Sequence, residues 1–506
     1  MPMNEDDRVT GKYPESPRNL ISRSNRLAQF VSAFDPAALP AAVRLETKRL
    51  IVDTLAAAYA GCRHETSRIH GEVVAFLGGN PQASVVGQTQ KVSIPQAGQI
   101  NARMANALDL DDCYMNVAHF APQTVFGALA AGEFGQISGP RLLSAVALGY
   151  DVAARICLFF MFWRVRRGLI ATRGSRQVYG ANAFAAMAAS AHALGLTREQ
   201  TRNAFGNCGH FAPCLTRSIM PVAPSDEMNK YCDAGWSTHA GIMATLMARG
   251  GYLSSHYTLD GRDGYADVMG IDYTDDAQLT RRLGARWHIL DAALKTHPCC
   301  KYVITPLQIF MELCQRRRLR PSDIRRVDVQ VRPSHAVGFA VQVLPERSRM
   351  PFTHNIPFNF AQAVLGRSPG AQWHDAAALR EPRVKAFMKK VFVHPLGEAL
   401  TVGVEDIRRY GFPREIPARV EIAARQGRFA GEACRAKGDP WWPETRLSDR
   451  ELLDKLLQGC EGTLPRGEAE RLFDAVMHLE KQRDVSVIGG LLHGADRARR
   501  AAAPTA

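Results

Sequence analysis

Long apolar runs are what this sequence has least of. The densest, Leu158 to Trp163, falls far short of the ~18 residues a membrane-crossing helix needs, so no membrane association is expected. Cysteine is present but unorganised. There are eleven, an odd number with no Cys-x-x-Cys spacing, which argues against a disulfide framework and against a zinc site. No glycine-rich phosphate loop and no metal-ligand spacing occurs, so the expected chemistry uses no metal and no cofactor. The first residues include Glu5, Asp6, Asp7 and Glu15 and lack the apolar core of a targeting signal, which points to the reducing cytoplasm. Acidic residues are outnumbered, 49 against 63 basic, for a formal net charge of +14. Arginines gather from Arg164 to Arg176, from Arg316 to Arg326 and from Arg497 to Arg500. A nucleic-acid binder would pair such clusters with a groove-reading motif or stacking aromatics. Neither is evident, so we expect no nucleic-acid partner and read solvated surface with some attraction for anionic substrates.

What is there is mostly helix. Pro40 suits the first turn of a helix to Tyr59 that Gly61 can cap. Gly78-Gly79-Asn80-Pro81 makes a turn, with a short extended piece over Ser84 to Gly87. From Pro95 to Leu196, Ala and Leu recur at three- and four-residue spacing, broken once at Gly139-Pro140. Thr197 to Gln200 and Ser448 to Glu451 are capping boxes, and a further helix is expected over Lys230 to Gly250. Beyond Gly284 the pattern shifts. Val327, Val329 and Val331 alternate with polar residues, as do Val420 and Ile422, and a helix from Arg383 to Lys390 runs into a strand at Val391 to Val393.

The chemistry concentrates between Asn106 and Gln123. Asp109, Asp111 and Asp112 fall within four positions of an apolar stretch, and His119 follows seven residues after the last. In a helix Asp109 and Asp112 would share a face. Burying several carboxylates costs several kcal/mol unless each finds a partner. The alternative is a helix end whose acids are solvated or paired with arginine.

Ala-Leu-Asp-Leu-Asp-Asp, a spacer, a His and an Ala-rich helix resemble the signature of the MmgE/PrpD family. Further matches follow in order: Gly149 to Arg155, Lys230 before Gly235, Lys295-Thr296-His297-Pro298-Cys299-Cys300, Gly438-Asp439-Pro440, and Leu452 to Lys455. The likeness runs from about residue 25 to 495. It implies a mainly α fold with an α+β domain. A loose arm (1–24) would precede a large helical domain made of both chain ends (25–290 and 445–495). An α+β lid (291–444) would be inserted between them, and a tail (496–506) would be frayed.

The resemblance also implies roles. Asp109, His119, Lys230 and Lys295 match the family's catalytic positions, with Asp112, Cys113, Arg176, His297 and Cys300 as substrate-binding candidates. A His oriented by a carboxylate is a usable base near neutral pH, and two lysines from separate segments could clamp separate carboxylates. The implied activity is a cofactor-free lyase for a small di- or tricarboxylate, a dehydratase like 2-methylcitrate dehydratase, working as a homodimer. Epimerisation of a dicarboxylate is the alternative, as is non-catalytic anion binding. Several family positions are altered. Two expected imidazoles are Ile170 and Cys300, and Phe120 and Cys113 stand where Pro and a Thr-like residue are usual.

Overall fold

A computed structural model describes residues 22–172, 179–213, 228, 233–260, 263–271, 273–342 and 353–493. Chain order explains the architecture: helices dominate to about residue 260, a four-stranded sheet with its own helices follows, and helices return at the end. The fold is mainly α with an α+β part, as the periodicity predicts.

The helical part is built on small residues. The helix Asn182–Ala193 is fully buried and packs against Ala121–Gly135, Gly139–Phe159 and Ala234–Arg249. Such close approach requires glycine at the crossings. A Cβ at Gly241 would sit 2.3 Å from the carbonyl oxygen of Ala183, so the helices meet backbone to backbone. Gly61 has the same reason. It is the last residue of the helix Ala41–Gly61 rather than its cap, and a Cβ there would lie 2.1 Å from the Met104 oxygen. The C-terminal helix Asp449–Gly459 lies along this same helix, with Gly459 against the Ala56 carbonyl, so the two ends of the chain share one core.

Several local expectations hold. Thr197 and Ser448 both form reciprocal capping boxes. Strands lie at β3 (Ile324–Val331), β4 (Val391–Pro395) and β5 (Ala418–Ala424). In the sheet β3 lies between β4, to which it is parallel, and β5, to which it is antiparallel, and a fourth strand pairs antiparallel with β5. The fourth strand, β6 (Gly427–Ala433), has no buried residue and carries no apolar alternation, which is why its sequence does not announce it.

Other expectations are corrected. Besides the expected break before Gly139, the described residues of the run from Pro95 to Leu196 are interrupted by a loop over residues 107–120 and by an antiparallel hairpin of β1 (Trp163–Arg166) and β2 (Leu169–Thr172). The short extended piece expected over 84–87 reaches only to Val85, beside an isolated bridge between Ala83 and Val92, and residues 86–87 form a turn. The helix expected from Lys230 begins at Ala234, capped by Asp233. The first helix, Arg23–Ala33, starts at the edge of the expected arm, and the expected tail lies outside the described residues. Among the described residues one helix, Gly139–Phe159, is long and apolar enough to cross a membrane, yet beyond its first turn it is buried among the other helices. Its sequence conceals that length because Asp151 and Arg155 interrupt the apolar residues. They pair at 2.6 Å, and Arg155 also donates to the carbonyls of Arg281 and Arg286.

Candidate active site

The acidic motif is not helical. The helix Ile94–Asn106 ends before it, and Asp109, Met115 and Asn116 adopt positive φ, which breaks any regular spacing. Asp109 and Asp112 therefore do not share a face. Asp112 turns to the start of the next helix: it accepts from the Ala121 amide at 3.0 Å and from the Tyr150 hydroxyl at 2.7 Å. Burial, with the Asp111 charge adding to it, pushes Asp112 up to about 6 in spite of His119 and these two donors.

Asp109 turns instead toward the second half of the chain. Cys113 and Ala293 exchange both backbone hydrogen bonds, at 2.8 and 3.0 Å, which lays residues 291–296 beside the motif loop. Lys295 then reaches Asp109, its Nζ donating to Oδ1 at 2.6 Å and lying 3.8 Å from Asp111 Oδ1. All three side chains are fully buried. Burial alone would lower the Lys295 pKa, but Asp109 and Asp111 outweigh it and hold the amine above its ordinary value, as an ammonium. His119 completes the group, with Nδ1 at 3.2 Å from Asp111 and Nε2 at 3.7 Å from Asp109.

Asp109, Asp111 and His119 offer ligand atoms within 4.8 Å of one another, a spacing a divalent ion could use. The Lys295 ammonium already stands against both carboxylates, so a metal would have to compete with a fixed charge of the same sign.

The other candidates scatter around this centre. His297 is half-buried, with Nδ1 2.9 Å from the Thr296 hydroxyl and its ring against Trp373. Burial, aided by the Lys455 charge, pushes it down to about 4, so it is neutral at pH 7. Cys300 caps the helix Lys301–Arg317 and donates its amide to Thr353. Burial pushes the Cys113 thiol well up despite Lys295 nearby, so Cys113 is neutral. Ile170 sits in β2, half-buried against the core. Lys230 and Arg176 lie outside the described residues. Around the buried centre, Val117, Thr296 and His297 retain partial exposure.

Three participants carry no role in the sequence reading. Asp111 lies in the motif itself. Asp53 and Lys455 form a buried pair at 2.5 Å. Their signal was present: each is a charge inside an otherwise apolar helical stretch, Leu-Ile-Val-Asp and Leu-Leu-Asp-Lys-Leu-Leu. The segments that carried the resemblance also acquire physical reasons. Gly438 has φ +99° and presses on Leu294, where a Cβ would be 2.0 Å from its carbonyl oxygen. Asp439 pairs with Lys301 at 2.6 Å.

Residues 25–277 match the MmgE/PrpD N-terminal domain and residues 297–481 the MmgE/PrpD C-terminal domain. The chain belongs to the MmgE/PrpD family. Within that family it is similar to the cis-aconitate decarboxylase of Aspergillus terreus, at 26% identity over 313 residues covering 58% of this chain and 61% of the relative. It is also similar to the cis-aconitate decarboxylase-like protein oryM of Aspergillus oryzae, at 24% identity covering 58% and 60%. The human cis-aconitate decarboxylase is 22% identical over 464 residues, 88% of this chain and 90% of that one. The chain thus spans about three fifths of the length of the fungal relatives it matches.

Proposed function

We propose that this MmgE/PrpD protein is a cofactor-independent lyase that dehydrates a small di- or tricarboxylate, in the manner of a 2-methylcitrate dehydratase. The observation that carries the reading is the buried Lys295 ammonium held between Asp109 and Asp111 with His119 against both carboxylates. An ammonium has three donors, and the one hydrogen bond to Asp109 leaves capacity for a substrate carboxylate. His119, oriented by Asp111, is placed to take the proton next to that carboxylate, while Lys295 stabilises the charge that develops on it. The C–H and C–OH bonds break, a C=C bond forms, and the hydroxide leaves as water with one proton. Lys230 and Arg176 are the further cations we assign to the remaining carboxylates, with Cys113, His297 and Cys300 lining the site.

The relatives named above are cis-aconitate decarboxylases, and a decarboxylase must protonate the carbon that carbon dioxide leaves. Isoleucine offers no donor and a thiol only a weak one, so Ile170 and Cys300 count against decarboxylation. The group of Lys295, Asp109, Asp111 and His119 also suits a second reading, epimerisation by proton removal and return, which has no leaving group.

Incubating the purified protein with 2-methylcitrate, citrate, cis-aconitate and iminodisuccinate under NMR separates these. Loss of water from a hydroxy acid is the expected result. Inversion without water loss would replace dehydration by epimerisation, and binding without any product would leave an anion-binding protein.

A further inference from the structure

Lys455 is a buried cation to which the proposed chemistry gives no part. It stands on the helix Asp449–Gly459 and is 7% exposed. Its Nζ makes three hydrogen bonds, to Asp53 Oδ1 at 2.5 Å, to the Leu110 carbonyl at 2.9 Å and to the Lys295 carbonyl at 2.7 Å. Three donors meet three acceptors, which saturates an ammonium. The identity of the two carbonyls is what matters. Leu110 lies between Asp109 and Asp111, whose carboxylates face the Lys295 amine, and the other carbonyl is that of Lys295 itself. One lysine therefore holds the main chains of the two segments whose side chains meet at the site. The contacts close into a ring: Lys455 to the Leu110 backbone, through Asp109 and Asp111 to Lys295 Nζ, and through the Lys295 backbone to Lys455 again.

A purely stabilising role fits this poorly. Burial pushes Asp53 up and Lys455 down, so each ion resists its charge, and a buried ion pair is weak evidence for stability. An apolar pair would pack at this helix contact without the desolvation cost, but could not grip two carbonyls.

We propose that Lys455 is a positioning residue that fixes Lys295 relative to Asp109 and Asp111 by clamping the backbones of Leu110 and Lys295. The inference rests on the reading that Lys295 receives the substrate carboxylate, but its main test does not need a substrate. In hydrogen-exchange mass spectrometry, Lys455→Met should raise exchange in the segments around 108–112 and 293–297 together, by roughly tenfold or more, as expected when a local tether is lost. Leu456→Ala, a buried truncation on the same helix, serves as the control for lost stability and should leave both segments unchanged. Equal loosening in the two variants, or loosening of one segment alone, overturns the proposal.

Asp53→Asn removes the ion pair and keeps both carbonyl bonds, so it should leave exchange in both segments within about twofold of wild type. Loosening there overturns the proposal even if Lys455→Met does not fold. On any carboxylate the wild type accepts, Lys455→Met should raise KM more than it lowers kcat, and adding it to Lys295→Met should weaken binding no further. Additive losses would sink the idea. If no substrate is found, the exchange outcomes still decide it.

Discussion

Lys295 is the residue on which most depends, because removing it does two things. Lys295→Ala deletes the only ammonium against Asp109 and Asp111 among the described residues, and leaves two carboxylates buried together. Binding of an accepted carboxylate should weaken by about 1.5–3 kcal/mol, the range for losing a charged hydrogen bond, measured by calorimetry. His119→Ala should instead lower kcat by ~10² or more with a smaller change in binding, as for a lost general base. Wild-type kinetics in both variants would refute the site. Asp112 makes a separate prediction through its environment. Its carboxyl titrates near 6 in the folded chain, above its ordinary value of 3.8, because burial and Asp111 outweigh His119, Tyr150 and the Ala121 amide. The folded state thus keeps a proton that the unfolded state has lost, and stability falls as pH rises from about 4 through 6. Asp112→Asn should abolish this component, on the order of 1–2 kcal/mol between pH 5 and pH 7, in paired denaturant titrations. Much of this was legible in the residues: the triple acid, the His and Lys295 are all visible as motifs. Their arrangement was not, because the positive φ of Asp109 and the 186-residue separation from Lys295 are settled by tertiary contacts that spacing cannot report.

At the scale of elements, the helices were legible where small residues or capping boxes mark them and illegible where backbone geometry alone decides. The hairpin of β1 and β2 hides because Trp163 to Thr172 is too short to establish a period, and β6 because its inward positions, Phe429, Gly431 and Ala433, are only half-buried and mostly small. The tight helix crossings give a direct test. Gly241→Ala would place a Cβ 2.3 Å from the Ala183 oxygen and 2.7 Å from the Met187 amide nitrogen. Because both atoms are backbone and cannot swing aside, destabilisation of about 1–3 kcal/mol is expected in thermal unfolding. Gly467→Ala, also helical but with nothing within 4 Å, should be neutral or stabilising by up to about 1 kcal/mol. If the two substitutions behave alike, close backbone packing is not what holds the helical part together.

For the whole molecule, we expect a homodimer joined through the helical part. Phe76 and Leu77, 89% and 63% exposed at the end of the helix Glu65–Leu77, are the kind of surface a second copy would cover. Light scattering at micromolar concentration should give twice the chain mass of 55.7 kDa, and a single-chain mass would count against it. On the proposed reading the purified protein should also release little carbon dioxide from cis-aconitate, since the resemblance puts Ile170 and Cys300 where imidazoles are expected and losing one such donor reduces rate by roughly a hundredfold. Vigorous decarboxylation would overturn that reading of the two positions.

The clamp formed by Lys455 has a consequence for timing. Its bonds to Asp53 and Leu110 span 402 and 345 residues, so the acidic loop is among the first parts of the site to be synthesised and its anchor among the last. Until the ribosome has released the helix Asp449–Gly459, the early helices have no partner for Asp53, and closing so long a loop is a slow step of folding. Nascent and C-terminally shortened chains would accordingly hold their acids in place only loosely. A fully ordered site would arrive at once, with the helix Asp449–Gly459, rather than accumulate as the chain emerges.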